Sequence, residues 1–119
     1  MEFPIKSSPI ILFGFLSTPS GLAQWFADKV DVYNNIYIFE WEGNEEKAKA
    51  MELIENELIR FKWENSPKSE YFEFKIVHTE ITGDTILVIT DFAAPKELID
   101  AQKLWESQVH ELKMRLGGL

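Results

Sequence analysis

The sequence predicts an α+β fold in which a curved antiparallel sheet of six to seven strands packs against a long C-terminal helix. Three observations support this prediction: strand-like alternation fills the middle of the chain, two short helices start after the first strand, and an amphipathic helix forms the last part. A twisted sheet curled around one helix buries the apolar faces of both. At 119 residues, the chain has the length of one domain, so we expect a single domain over residues 1–119.

Proline marks the first elements of the chain. Residues 2–7 alternate apolar and polar side chains around a proline, which is typical of an edge strand. Ser8-Pro9 and Thr18-Pro19 each combine a capping hydroxyl with a proline in the first helical turn. Two short helices are therefore expected one after the other. In the second helix, three large apolar residues are spaced as one face, which we expect to turn inward: Leu22, Trp25 and Phe26.

Residues 30–92 carry the strand and turn signals. The stretch NNIYIFEWEGNEE alternates aromatic residues on one face and is expected to turn at Gly43-Asn44, while breaks at residues 66–67 and 83–84 separate later strands. Residues 45–56, EEKAKAMELIEN, favour a helix by propensity. We predict a strand there, because turn-forming residues flank the segment and strand formation follows its context.

The final helix has the clearest pattern. Pro95 stands in its first turn, acidic residues lie near its start, basic residues lie near its end, and Gly117-Gly118 are expected to stop it. Its apolar residues recur every three or four positions and form one stripe that should lie on the sheet: Leu98, Ala101, Trp105, Val109, Leu112 and Leu116.

Composition narrows the function classes. The net charge of -8 comes from acidic residues spread along the chain, and such a field repels phosphate, so neither nucleic acid nor an anionic membrane is an expected partner. The chain has no cysteine, which excludes disulfides and suits a reducing compartment, so a cytoplasmic location is expected. The apolar run at residues 9–16 reads as structure rather than as a secretory signal, and no stretch approaches the roughly twenty apolar residues that cross a bilayer.

Four stretches occur in an order that resembles the START-like helix-grip superfamily: STPSGLAQWFAD, YIFEWEG, TGDTILVITDF and LWESQVHELKMRLGG. Within that superfamily, the chain is similar to small bacterial domains related to the activator of the ninety-kilodalton heat-shock chaperone's ATPase. The resemblance implies a cavity between the sheet and the long helix, used elsewhere in the superfamily for lipids, sterols, plant hormones, polyketide cyclisation or contact with a chaperone. It implies no shared set of catalytic residues. The chain is short for the superfamily, so a modest cavity is expected.

The candidate ligand-binding residues are the large aromatic side chains that the alternation and the helix spacing turn inward, together with one histidine. They are Trp25, Tyr37, Phe39, Trp41, Phe61, Trp63, Phe72, Phe74, His78 and Trp105. As a cavity wall, these rings would suit a flat or hydrophobic ligand. As a core, nine rings could fill the cup completely. For most of these residues we favour the core interpretation, because a small cup holds limited ring volume.

Polar side chains that could orient a ligand are few: Gln24, His78, Thr90, Asp91 and Gln102. His110 is expected to face water. Without cysteines or paired histidines, we predict neither a metal site nor a cofactor. The glutamates of the strands are expected to form a solvated outer face interleaved with lysines: Glu40, Glu42, Glu52, Glu64, Glu70 and Glu73 with Lys49, Lys62 and Lys75.

Three functions are compatible with these patterns. The first is a non-catalytic binding domain that holds a small hydrophobic ligand or contacts a protein partner, such as a chaperone. The second is a small polyketide-cyclase-like enzyme in which His78 or Asp91 acts as acid or base. A buried His78 would favour this function, and an exposed His78 in a wall without other polar groups would exclude it. The third is a filled-core homodimer that associates through an apolar patch on the first strand or on the outward side of Leu87 and Ile89.

Overall fold

The computed structural model describes residues 1–117 and confirms the predicted α+β fold. Seven antiparallel strands form one sheet in the order β1-β7-β6-β5-β4-β3-β2. Their bounds are β1 Glu2–Ile5, β2 Lys29–Tyr33, β3 Ile36–Trp41, β4 Asn44–Ile54, β5 Leu58–Trp63, β6 Phe72–His78 and β7 Thr85–Thr90. Strands β2 to β7 follow one another as an antiparallel meander, and β1 closes the far edge by pairing with β7.

Two short helices and one long helix accompany the sheet: α1 Pro9–Ser17, α2 Pro19–Leu22 and α3 Leu98–Arg115, with a 3-10 turn at Pro95–Glu97 before α3. Both predicted caps form. The Ser8 hydroxyl accepts a hydrogen bond from the Ile11 amide at 3.3 Å, and the Thr18 hydroxyl accepts one from the Gly21 amide at 3.0 Å. Helix α2 ends at Leu22, earlier than the sequence predicted. The chain then forms turns, in which the backbone amides of residues 25–27 all donate to the Leu22 carbonyl.

The segment with helical propensity is a strand, as predicted. Strand β4 pairs with β3 on one side and with β5 on the other, so its backbone hydrogen bonds outweigh the helical preference of its side chains. The hairpin before it turns at Glu42-Gly43, one residue earlier than predicted. Both turn residues have positive φ, +50° and +83°, as a two-residue hairpin turn requires, and Asn44 already pairs with Trp41.

The predicted apolar stripe of helix α3 is buried in the middle and towards the end of the helix. Trp105, Val109 and Leu112 are buried, whereas Leu98 remains 49% exposed. Leu98 differs from the prediction because residues 91–100 run along the outside of the domain before the helix reaches the core. The helix ends at a Leu116 cap, and Gly117 adopts a φ of +74°. Gly118, the second residue predicted to stop the helix, lies outside the described residues.

The core lies on the concave side of the sheet, between the strands and the helices. Its fully buried members come from α1 and α2, from the central strands and from α3, and include Leu12, Leu16, Leu22, Phe39, Phe61, Phe72, Phe74 and Leu112. Leu87 and Ile89 belong to it too, at 0% and 1% exposure. The apolar patch that the homodimer hypothesis placed on their outward side is therefore wrong, because the strand alternation turns them inward. Within residues 1–117, no helix is long and apolar enough to cross a bilayer.

Candidate functional site

A cleft of about 540 Å³ opens at one end of the concave face. The ends of β3, β5 and β7 and the starts of β4 and β6 meet at this end of the sheet, and the N-terminal half of α3 passes over it. Its lining residues are Phe26, Trp41, Glu42, Asn44, Glu46, Trp63, Phe72, Asp91, Ala101, Leu104, Trp105 and Gln108. The cleft is thus the space between sheet and helix that the core side chains leave unfilled.

Five aromatic rings in mutual contact line the cleft. The ring centroids of successive neighbours form a closed circuit: Trp41–Trp63 at 6.1 Å, Trp63–Phe72 at 4.8 Å, Phe72–Trp105 at 6.5 Å, Trp105–Phe26 at 5.7 Å and Phe26–Trp41 at 5.3 Å. These separations fall in the range in which aromatic pairs attract each other. Phe26 and Phe72 are almost fully buried, whereas Trp41 and Trp63 are partly exposed.

Hydrogen bonds to the segment after α2 fix the hairpin side of the cleft. The Trp41 indole donates to the Phe26 carbonyl at 2.8 Å, and the Gln108 amide of α3 donates to the same oxygen at 3.2 Å. The Glu42 amide donates to the Asp28 carboxylate at 2.9 Å. These bonds connect the β3–β4 hairpin, the segment after α2 and helix α3, so this wall is held in place without a ligand.

The Asp91 carboxylate fixes the opposite side. It accepts a hydrogen bond from the Trp105 indole at 3.0 Å through one oxygen and one from the Phe92 amide at 2.8 Å through the other. Asp91 therefore connects the end of β7 to the tryptophan that α3 places over the sheet. The sequence singled out Asp91 as a polar candidate, and the structure places it in the lining.

The charged groups of the cleft all have the same sign. Glu42, Glu46 and Asp91 are acidic, and the lining residues that the structure describes include no lysine, arginine or histidine. Over residues 1–117, no three His, Cys, Asp or Glu side chains come close enough together to hold a metal ion. The acidic groups are thus spread around an aromatic surface rather than gathered at one point.

The structure separates the nine predicted aromatic residues into three groups. Four of them line the cleft: Trp41, Trp63, Phe72 and Trp105. Phe39, Phe61 and Phe74 are fully buried in the core.

Trp25 and Tyr37 connect the sheet to the helices. The Trp25 indole donates to the Phe15 carbonyl at 2.8 Å, and the Tyr37 hydroxyl donates to the Ser17 carbonyl at 2.7 Å. Burial raises the pKa of Tyr37. Neither side chain lines the cleft.

His78 does not face the cleft. It shares the inward alternation of Phe74 and Ile76, but it stands at the last position of β6, whereas Phe72 at the start of β6 lines the cleft. The His78 side chain is exposed, and its Nδ1 lies 3.1 Å from the Thr85 hydroxyl. The exposed position of His78 outside the lining therefore argues against His78 as the acid or base of an enzyme.

Two glutamates depart from the predicted solvated outer face. Glu42 lies in the turn between β3 and β4 and lines the cleft, and Glu73 is buried. The Glu73 side chain accepts hydrogen bonds from Arg60 at 2.7 and 2.8 Å, and the residue is only 8% exposed. The Arg60 guanidinium also lies 4.4 Å from the centre of the Tyr71 ring. The hydrogen bond with Glu73 raises the pKa of Arg60 above its ordinary value. Glu73 is buried because the guanidinium satisfies its charge.

Several lining residues were missed as site residues by the sequence analysis. Glu46 faces the concave side because it alternates with Ala48, but this was readable only once the register of β4 was known. Leu104 and Gln108 flank the apolar stripe of α3 rather than lying on it. Phe26 carried a usable signal, since the sequence already placed it on an inward face.

Comparison with known proteins identifies the fold. Residues 1–118 match a family model described as a START-like superfamily domain. A search of curated protein sequences finds no match. Among solved structures, a protein from Bacteroides fragilis is 38% identical, with a TM-score of 0.68, over 100% of this chain and 89% of that one.

Two more distant structures share the fold. The Aha1 dimer from Colwellia psychrerythraea has a TM-score of 0.78 at 20% identity, over 95% of this chain and 90% of that one. DynU16, a protein of the dynemicin biosynthetic locus, has a TM-score of 0.82 at 13% identity, over 98% of this chain and 46% of that one.

Proposed function

This chain belongs to the START-like superfamily, and from this premise we propose that it is a non-catalytic binding domain whose cleft holds a small hydrophobic molecule. The observation that carries the proposal is the aromatic cleft beneath α3, where the rings of Trp41 and Trp63 remain partly exposed beside three rings that are almost fully buried. Ligand sites in proteins are concave, largely apolar and a few hundred Å³ in volume, and the cleft of about 540 Å³ has these properties. Because the chain has no cysteine, a reducing compartment such as the cytoplasm is part of the proposal.

The test blocks the cleft without changing its charge. Ala101 lies on the cleft side of α3, so Ala101→Phe should fill the space over the rings. Ser107→Phe adds the same ring at an exposed position of α3 outside the lining and is the matched control. Each protein would be titrated with a neutral probe, 1-adamantanemethanol, while NMR follows the four tryptophan indole N–H signals.

We expect saturable shifts at Trp41, Trp63 and Trp105 in the natural sequence and in the control, with little change at Trp25. From about 0.3 kcal/mol per non-hydrogen atom, the dissociation constant should be on the order of 1 mM. Ala101→Phe should weaken binding by at least about tenfold, since it removes the volume that the probe occupies. Equal binding by Ala101→Phe and Ser107→Phe would contradict a site in the cleft.

A second candidate is a protein-interaction module. Helix α3 leaves four large apolar side chains exposed: Leu98 at 49%, Ile99 at 65%, Leu104 at 61% and Met114 at 57%. Such exposure favours a protein partner, either a chaperone, as the family resemblance implies, or a second copy of the chain, as in the related Aha1 dimer. Light scattering at several concentrations would reveal self-association, and a mass that stays monomeric would exclude the homodimer.

A further inference from the structure

We infer that the ligand of the cleft is an organic cation, an amine or quaternary ammonium group on a compact apolar body. This inference rests on the proposed function, which says only that the ligand is small and hydrophobic. It follows from three features of the lining: the exposed ring faces, the sign of the surrounding charges, and the hydrogen bonds in which the lining donors already take part.

The aromatic surface favours a cation. Ring faces carry negative electrostatic potential, and a cation held over Trp, Tyr or Phe gains about 0.5–1 kcal/mol at an exposed site and about 2 kcal/mol or more where water is excluded. Three of the five rings are tryptophans, the strongest of these partners. Trp41 and Trp63 are partly exposed and meet at 6.1 Å between centroids, so their rings are available to a ligand.

The carboxylates stand on two sides of this surface. Glu42 and Glu46 belong to the β3–β4 hairpin, whereas Asp91 follows β7. In the sheet, β5 and β6 separate β4 from β7, so the backbones of these strands are about 14 Å apart at the usual strand spacing. This separation is too wide for one metal ion to contact both acidic sides. It suits an organic molecule whose charged group lies between them.

The lining disfavours an anion or a strong hydrogen-bond acceptor. The indole N–H groups of Trp41 and Trp105 already donate to protein oxygens, and the Gln108 amide donates to the Phe26 carbonyl. Among the described lining residues, no cationic side chain is present to neutralise an acid. The Trp63 indole and the Asn44 side-chain amide make no hydrogen bond within the described residues and could donate to a ligand. An anionic ligand would still meet three carboxylates, whose repulsion raises its free energy in the cleft.

Three probes with one apolar body and different charges test this inference: 1-adamantanamine, which is cationic at neutral pH, neutral 1-adamantanemethanol and anionic 1-adamantanecarboxylate. Each is titrated at low salt against the natural sequence while NMR follows the indole N–H signals of Trp41, Trp63 and Trp105. The amine should bind at least about tenfold more tightly than the alcohol, and the carboxylate should not saturate these signals.

Charge-removing variants identify the source of the preference. Glu46→Gln combined with Asp91→Asn keeps similar shapes. The asparagine oxygen can still accept from the Trp105 indole, but its NH2 group cannot replace the oxygen that accepts from the Phe92 amide. We expect this variant to lose most of the preference for the amine, measured as the ratio of amine to alcohol affinity within each protein. Glu55→Gln, in the turn between β4 and β5 at the other end of β4, removes a carboxylate away from the cleft and should keep the preference.

The outcomes separate the inference from the function on which it rests. Equal affinity for amine and alcohol, or a preference that survives in the double variant, would overturn the cationic ligand and leave the binding domain intact. If none of the three probes shifts the cleft tryptophans, both the inference and the proposed function fail. Tighter binding of the carboxylate would also overturn the inference.

Discussion

The aromatic core and the cleft lie on the same concave face and are built from the same kinds of residue, yet one is closed and the other is open. In the core, Phe39, Phe61 and Phe74 have no exposed surface. In the cleft, Trp41 and Trp63 remain partly exposed. Both regions follow the same strand alternation, so the type and the facing of a residue do not decide which region it joins.

The helix above each region makes the difference. Over the core, α1 runs close to β5 and β6, and Leu12, Leu16 and Leu22 fill the space beneath it. Over the cleft, α3 reaches the sheet through the long side chain of Trp105, while the small Ala101 leaves the volume beside it empty. A helix that lies close to the sheet closes an aromatic surface, and one held at a distance leaves it open.

The largest predicted effect tests whether a ring of the core contributes more to the free energy of unfolding than a ring of the cleft. Phe61→Ala should lower the free energy of unfolding by about 3–5 kcal/mol, because it leaves a cavity among four contacting rings. Trp63→Ala removes a larger ring but one already in contact with water, so its cost should be about half as large. Urea denaturation measures both, and equal losses would mean that the cleft is as tightly packed as the core.

The next prediction concerns the close approach of α1 and α2 that holds α1 in position. A Cβ at Gly21 would overlap the Gly14 carbonyl oxygen and lie 2.6 Å from the Phe15 Cα. Since backbone atoms cannot move aside cheaply, Gly21→Ala should lower stability by about 1–3 kcal/mol.

Gly14→Ala is the matched control for this change. A Cβ at Gly14 meets nothing within 4 Å, and the position lies inside a helix, so the substitution should raise stability by about 0.5–1 kcal/mol. Thermal denaturation would reveal the opposite signs. If Gly21→Ala leaves the melting temperature unchanged or raises it, the contact between α1 and α2 does not restrict position 21.

The smallest predicted effect is a change in stability at alkaline pH, and it concerns the buried Tyr37. Burial raises the pKa of Tyr37 above the ordinary 10.0, so above that pH the unfolded chain loses this proton while the folded chain keeps it. The unfolded state then binds fewer protons, and stability falls as pH rises.

Tyr37→Phe should therefore flatten the loss of stability between pH 9 and about 11, the range around the ordinary tyrosine pKa. At neutral pH it should cost about 0.5–1.5 kcal/mol, because the hydrogen bond to the Ser17 carbonyl is lost. Tyr33→Phe, at a residue 74% exposed on the edge strand, is the control and should keep the natural pH dependence. If stability falls equally steeply with pH in both variants, a group other than Tyr37 causes the loss of stability at alkaline pH.

Much of the fold could be predicted from the sequence, because its signals are local. Ser8-Pro9 and Thr18-Pro19 marked the helix starts, and the alternation around Tyr37 and Phe39 marked a strand face. The error at the first hairpin was a single residue, since Glu42 and Asn44 both suit a turn and only the pairing of Asn44 with Trp41 decides between them.

The cleft could be predicted only in part. Trp41, Trp63, Phe72 and Trp105 were among the predicted residues, but the same reasoning also named Phe39, which is core. His78 was included because alternation gives the face of a strand and says nothing about which end of the sheet lies beneath a helix.

The sequence by itself determined the order of the elements and the inward alternation, because caps, turns and periodicity act over a few neighbouring residues. Only the tertiary structure decided which aromatic rings are covered, how the acidic groups of β4 and β7 surround the cleft, and that Glu73 is buried against Arg60. These features depend on strand register and on the height of each helix above the sheet. Both are set by packing between residues far apart in the chain.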